Sequence, residues 1–156
     1  MLTVTTAITL DTWDWSNLHH LEVARFGEDF ARMQFAIFKW RTYEPYVDNH
    51  ATDFIARHED GRFLTVQVKT VRKRNYAFIR KRDVKDSRNT CMALVLLDEG
   101  EPPRLFVIPL LEWVSPNRLL VDRDYVDGKS DPEYGVQASP VNQALLEKYA
   151  APPRLR

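Results

Sequence analysis

The segment that most constrains this chain is an alternating run, Phe63 to Val71, that follows the turn signal Glu59-Asp60-Gly61. Side chains of a strand point to opposite faces in turn. Leu64, Val66 and Val68 therefore form one apolar stripe. Thr65, Gln67 and Lys69 occupy the other face, held on a rigid element and aimed away from the packed side. Thr52 to Arg57 reads as the preceding strand, and Gly61 suits the left-handed position of a three-residue hairpin loop. With that loop His58 pairs with Arg62, and counting back sets Asp53 directly opposite Gln67. Opposed side chains have Cβ atoms about 5 Å apart. A two-residue turn would slip the register and set Asp53 opposite Val68 instead.

The remaining pattern places a helix before the hairpin and more strands after it. The helix starts near Ser16, as N-cap, and runs to about Phe38. Val23, Phe26, Phe30, Met33 and Ile37 recur at helical spacing and form its expected buried stripe. Glu28 falls on a neighbouring stripe with Leu21, Ala24, Ala31 and Phe35. Lys39 to Tyr46 reads as extended, as does Tyr76 to Ile79. Cys91 to Leu97 and Leu105 to Leu110 flank a turn-rich segment and read as a strand pair. Leu111 to Val114 reads as a helical turn and Leu119 to Val121 as a short strand. Val126 to Ser139 reads as a loop, and Val141 to Tyr149 as a closing helix behind Pro140. Residues 1–12 read as a strand or ordered arm, and 151–156 as a flexible tail behind a single domain over 1–150. This order predicts a mixed α/β (α+β) domain.

Composition narrows the class. A chain of 156 residues, 44% hydrophobic and 28% charged, suits one ordinary globular core. No apolar run approaches the roughly 20 residues of a membrane span, and no secretory signal is legible at the N-terminus. The single cysteine, Cys91, has no partner for an internal disulfide. A cytoplasmic location is expected from these features. The four histidines show no ligand spacing.

Net charge is zero, but its distribution is uneven. Residues 66–90 carry nine Lys/Arg against two Asp/Glu, while the flanking segments are both acidic. Arg72, Lys73, Arg74, Arg80, Lys81 and Arg82 lie in this basic segment and are the candidate contacts to a nucleic-acid backbone. Tyr76 and Phe78 lie between them, as packing residues or as platforms for a base.

A carboxylate, a carboxamide and an ammonium close together suit phosphodiester hydrolysis. Mg²⁺ uses one or two carboxylates, its shell being completed by water and substrate phosphate. Asp53 offers one carboxylate, Glu28 a second from the preceding helix, and Gln67 a neutral oxygen. Lys69 can orient an attacking water or hold developing negative charge. Mn²⁺ is an alternative to Mg²⁺.

Thr52-Asp53 followed by Gln67-Val68-Lys69-Thr70 resembles the PD-(D/E)xK nuclease superfamily, and Gly27-Glu28-Asp29-Phe30-Ala31 resembles the G-E-x-x-A pattern on the first helix of many members. The QVKT segment is similar to the Q-x-K variant of intron-encoded homing endonucleases of that fold. The resemblance covers roughly residues 20–110 and implies a restriction-endonuclease-like domain, with a central mixed β-sheet flanked by helices. It implies metal binding by Glu28, Asp53, Gln67 and the backbone carbonyl of Val68, and a catalytic Lys69. Thr52 stands where the motif has proline, and Gln67 where it has Asp or Glu, which removes one negative charge from the ligand set.

The function expected is a metal-dependent endonuclease acting on DNA. A catalytically inactive nucleic-acid-binding module, or a protein-interaction domain, is the alternative on the same fold. Cutting both strands of a duplex takes two such sites, so a homodimer or higher homo-oligomer is expected.

Overall fold

The computed structural model describes residues 13–46 and 51–151. The expectations for 1–12 and for 152–156 lie outside the described residues.

The first element is a long helix, α1 (His20–Ile37). It starts later than the sequence implies. Ser16 belongs to a turn in which the Asp14 carboxylate accepts its N–H at 2.9 Å. His19 is the N-cap, and the Glu22 side chain reaches back to the His19 N–H at 2.7 Å, closing a capping box. The inward face also differs from expectation. The fully buried row is Val23, Gly27, Ala31 and Phe35, with Phe26 and Phe30 of the expected stripe packed partly buried beside it and Met33 and Ile37 exposed. Gly27 and Ala31 in one i, i+4 row let the helix axis approach the sheet, with Val23 and Phe35 filling the space on either side.

Eight strands follow: β1 (Trp40–Tyr43), β2 (Phe54–His58), β3 (Phe63–Arg72), β4 (Tyr76–Arg80), β5 (Thr90–Leu97), β6 (Arg104–Pro109), β7 (Leu120–Arg123) and β8 (Glu133–Gln137). They form a five-stranded sheet, order β1-β2-β3-β5-β6, and a three-stranded sheet, order β4-β8-β7. The larger sheet is mixed. β3 and β5 are parallel, with Val66 beside Cys91 and Gln67 beside Met92. The other pairs are antiparallel. A parallel pair needs a long crossover, and β4 lies in that connection.

The layers are helix, five-stranded sheet, three-stranded sheet. One core joins α1 to Phe54, Ala56, Val66, Val68, Ala93 and Val95. The other joins Met92, Leu94, Leu96, Phe106 and Ile108 to Ala77, Ile79, Leu120 and Val136 of the smaller sheet. β5 is central to both, and all of its residues are buried, as a continuous apolar run requires.

β8 occupies a stretch that reads as loop. Its alternation is polar, and its partners supply what propensity does not. Glu133 is buried and accepts from the Tyr76 hydroxyl at 2.6 Å and the Tyr125 hydroxyl at 2.9 Å. At Gly135 a Cβ would lie 1.9 Å from the Tyr76 hydroxyl oxygen, so glycine is required beside that ring. The closing segment is not one helix. It is a four-residue turn of α-helix, α2 (Gln143–Leu146), between 3₁₀ turns at Pro140–Asn142 and Glu147–Tyr149. Ala151 N donates to Leu105 O at 2.9 Å, which ties down the first residue of the expected tail. No helix among the described residues is long and apolar enough to cross a membrane.

Candidate metal centre and its surroundings

The hairpin has the three-residue loop. His58 N donates to Arg62 O at 2.8 Å, Gly61 has φ 95°, and β2 pairs β3 with Phe54 opposite Val66. The paired register ends at Phe54 and Val66, and beyond it Asp53 meets Val66 and Val68.

Asp53 sits immediately before β2 begins, and it is gripped at three points. Its N–H donates to Val66 O at 3.0 Å. Its C=O accepts from Arg32 Nη2 at 2.7 Å. Its Oδ2 accepts from Val68 N at 2.6 Å. The Val68 N–H is thus met by a carboxylate in place of a strand carbonyl, so the acid lies at the sheet edge rather than out on one face. In an extended strand a residue's C=O projects to the same edge as its N–H. The Val68 carbonyl therefore points to the edge that Asp53 occupies.

α1 brings Glu28 to this edge. A Cβ at Gly27 would lie 1.7 Å from Thr70 Oγ1 and 2.9 Å from Thr70 Cβ, so helix and β3 meet here without space for a side chain. Glu28 follows in sequence and is half-buried. Its carboxyl is held above the usual Glu range, first by burial and second by the negative charge of Asp53, with Arg25 and Arg32 opposing. The Glu28 and Asp53 carboxyls and the edge carbonyl of Val68 are oxygen donors of the kind that a hard divalent cation takes. Among the described residues no group of three or more His, Cys, Asp or Glu side chains gathers anywhere. A magnesium-type site needs only two carboxylates, with other oxygens completing it.

Gln67 and Lys69 lie on the face of β3 away from α1. The smaller sheet packs over that side, so Gln67 is 2% exposed rather than turned away from the packing. Its neighbour Lys69, one step nearer the end of the strand, is half-buried.

Arg32 is a site residue that sequence reading missed. Besides gripping the Asp53 carbonyl it pairs with Glu44 at 2.9 Å and lies 4.9 Å over the Phe54 ring. The available signal was its place one helical turn after Glu28.

The basic segment is largely engaged within the molecule, which corrects the expectation of an open cationic strip. Arg72 Nη1 donates to Trp15 O at 2.6 Å and Leu18 O at 2.9 Å. Arg74 Nε donates to both Asp98 oxygens, at 3.0 and 2.8 Å, and its Nη1 to Gln143. Lys81 pairs with Asp122 and Asp124. Arg80 and Arg82 both reach Asp131, at 3.7 and 3.3 Å. Lys73 is exposed and has no ion pair among the described residues. Tyr76 packs: its hydroxyl serves Glu133, and its ring lies 4.6 Å beneath Arg123. Phe78 is partly exposed on the same strand.

No family model matches the chain, and no curated protein matches it. Among solved structures it is similar to a bacterial homing endonuclease, I-Ssp6803I, at 15% identity and a TM-score of 0.47. The match spans 88% of this chain and 99% of that one. A likeness at that level carries no argument about chemistry, so the site rests on the geometry of Glu28, Asp53 and Val68 alone.

Proposed function

We propose that the chain is a metal-dependent endonuclease that hydrolyses phosphodiester bonds of DNA, a variant of the PD-(D/E)xK pattern on one domain over residues 1–150. The observation that supports this reading is the Asp53 carboxylate held at the Val68 N–H on the edge of β3, with half-buried Glu28 on α1 near enough to sense its charge. Glu28, Asp53 and the Val68 carbonyl would hold Mg²⁺ or Mn²⁺, with Gln67 as a neutral fourth donor. The cation would supply Lewis acidity at the scissile phosphate and a more acidic water. Arg32 fixes the Asp53 backbone, so the carboxylate needs no reorganisation when the site fills. Lys69, on the same strand, would orient the attacking water or hold charge on the phosphate oxygens. Two protomers would be needed to cut both strands.

The test is cleavage of plasmid DNA with Mg²⁺ or Mn²⁺ by the wild type, Asp53→Asn and Lys69→Ala. Nicking by the wild type and loss in both variants is expected. Equal nicking by all three would end this assignment. A second reading, a silent DNA-binding module, draws on the neutral and buried Gln67. It requires that no divalent cation bind and that Asp53→Asn leave affinity for DNA intact.

A further inference from the structure

The face of the larger sheet opposite α1 is covered only in part. The smaller sheet packs over residues of β3, β5 and β6, namely Val71, Met92, Leu94, Leu96, Phe106 and Ile108. The β1–β2 pair extends beyond that cover. Its outward row carries Arg41 and Tyr43 on β1 and Ile55 and Arg57 on β2, and all four are exposed.

Arg41 and Arg57 are direct cross-strand partners. Like charges directly opposite on a strand pair are destabilising. Neither arginine has an acidic partner among the described residues. The two line a polar groove of about 410 Å³ together with Tyr43, His58 and Glu59. The acid in that groove is already engaged, Glu59 with Lys39 at 3.7 Å, and His58 faces Asp60 at 2.9 Å. Among the described residues the pair is therefore a local excess of positive charge that no acid neutralises. The basic segment differs, since there the fold supplies acids or carbonyls to five of the six candidate contacts, all but Lys73.

Position gives the excess a partner. Asp53 directly precedes β2 at the edge of the sheet, and Arg57 lies four residues further along. At about 3.4 Å per residue that is about 14 Å. A duplex presents one phosphate of each strand per about 3.4 Å of helix axis, so with β2 laid along that axis the separation corresponds to about four phosphate steps from a scissile bond at Asp53. We propose that the exposed β1–β2 face is the cradle for the DNA backbone, with Arg41 and Arg57 each neutralising one phosphate and the Tyr43 hydroxyl donating to a third oxygen. The partner, though not the charge excess, rests on the endonuclease reading. Contacts of this kind position a duplex without reading its sequence.

The experiment is fluorescence anisotropy with a labelled 30-base-pair duplex in EDTA, over a salt series, for the wild type, Arg41→Gln/Arg57→Gln and Arg57→Glu. Binding by the wild type is expected, with the double variant lowering the slope of log affinity against log salt by about 1.8, at about 0.9 per phosphate contact. The loss is expected to be equal on unrelated sequences, and Arg57→Glu to bind more weakly than the double variant. Without DNA the double variant is expected to melt at the wild-type temperature or higher, because a like-charge pair has been removed. An unchanged slope in a folded double variant overturns the cradle while leaving the endonuclease reading standing, since Asp53→Asn tests that reading by cleavage alone. A wild type that neither binds the duplex nor nicks plasmid overturns both.

Discussion

The Asp53 carboxylate accepts a hydrogen bond from the Val68 backbone N–H, Oδ2 to N being 2.6 Å. One group thus ends a strand ladder and supplies a candidate ligand, and two substitutions separate these roles. Asp53→Asn keeps an oxygen for the Val68 N–H. It is expected to hold the fold while lowering cation affinity and nicking by at least about 100-fold, since even groups behind a ligand cost 10–100-fold. Asp53→Ala also strands the N–H, at a further cost of about 1–3 kcal/mol. Urea denaturation and Mn²⁺ calorimetry check both. Unaltered Mn²⁺ affinity in the Asn variant would exclude Asp53 as a ligand.

Gly27 sets the distance between α1 and β3. A methyl there would meet Thr70 at 1.7 Å from Oγ1, 2.9 Å from Cβ and 3.1 Å from Cγ2, so turning the hydroxyl away does not make space. Gly27→Ala is expected to destabilise by about 1–3 kcal/mol as overpacking does, despite the better helix propensity of alanine, about 1 kcal/mol. The helix must lift, and Glu28 moves with it. Nicking is therefore expected to fall even well below the melting temperature, in an assay run alongside circular dichroism.

The carboxyl of Glu28 gives the metal-free protein a pH dependence. Its raised pKa, owed to burial and then to Asp53, means that just above the ordinary value of 4.5 the folded chain retains a proton the unfolded chain has lost. Where the native state binds more protons, stability falls as pH rises. In EDTA the wild type is expected to lose stability as pH rises through that interval, and Glu28→Gln to lose less. Mg²⁺ is expected to offset the loss in the wild type but not in the variant. Urea midpoints from about pH 4 to about pH 7 measure this, and parallel profiles for the two proteins would contradict it.

Arg72 and Arg74 are expected to act on stability rather than on binding. Arg72 fastens the turn before α1 through backbone carbonyls, and Arg74 ties the end of β3 to Asp98 and α2. Hydrogen bonds from charged groups contribute about 1.5–3 kcal/mol. Arg72→Ala is expected to lower stability by about 2 kcal/mol and to leave the salt slope for DNA unchanged. A lowered slope with unchanged stability would return Arg72 to the binding surface.

The hairpin was legible in sequence because its determinants are local: Gly61 fixes the loop, and the loop fixes the register of β2 on β3. The strand pair over Cys91 to Leu97 and Leu105 to Leu110 was legible for the same reason. Long-range burial was not. Nothing near Gln67 reveals that a second sheet, built from β4, β7 and β8, closes over its face. Nor does the basic run show that Asp122, Asp124 and Asp131 will neutralise it from about 40 to 50 residues downstream. The helix face was legible at Val23, Phe26 and Phe30 but not at its far end, because the buried row runs through Gly27, which hydropathy cannot score. Glu28 and Asp53 were legible as a pair only through their order along the chain. The grip of Arg32 on Asp53 needed three dimensions.

The early end of β2 has a consequence for the fate of the molecule as well as for its chemistry. From Val68 onward β3 has no neighbour on that side among the described strands. An unpaired edge is a template for another chain, and charge along an edge is a common protection against it. Asp53 and Glu28 supply that protection. Variants that neutralise both acids expose a sticky edge, so they are expected to aggregate on storage or at raised concentration. Solubility is therefore a readout of this site that needs neither metal nor DNA.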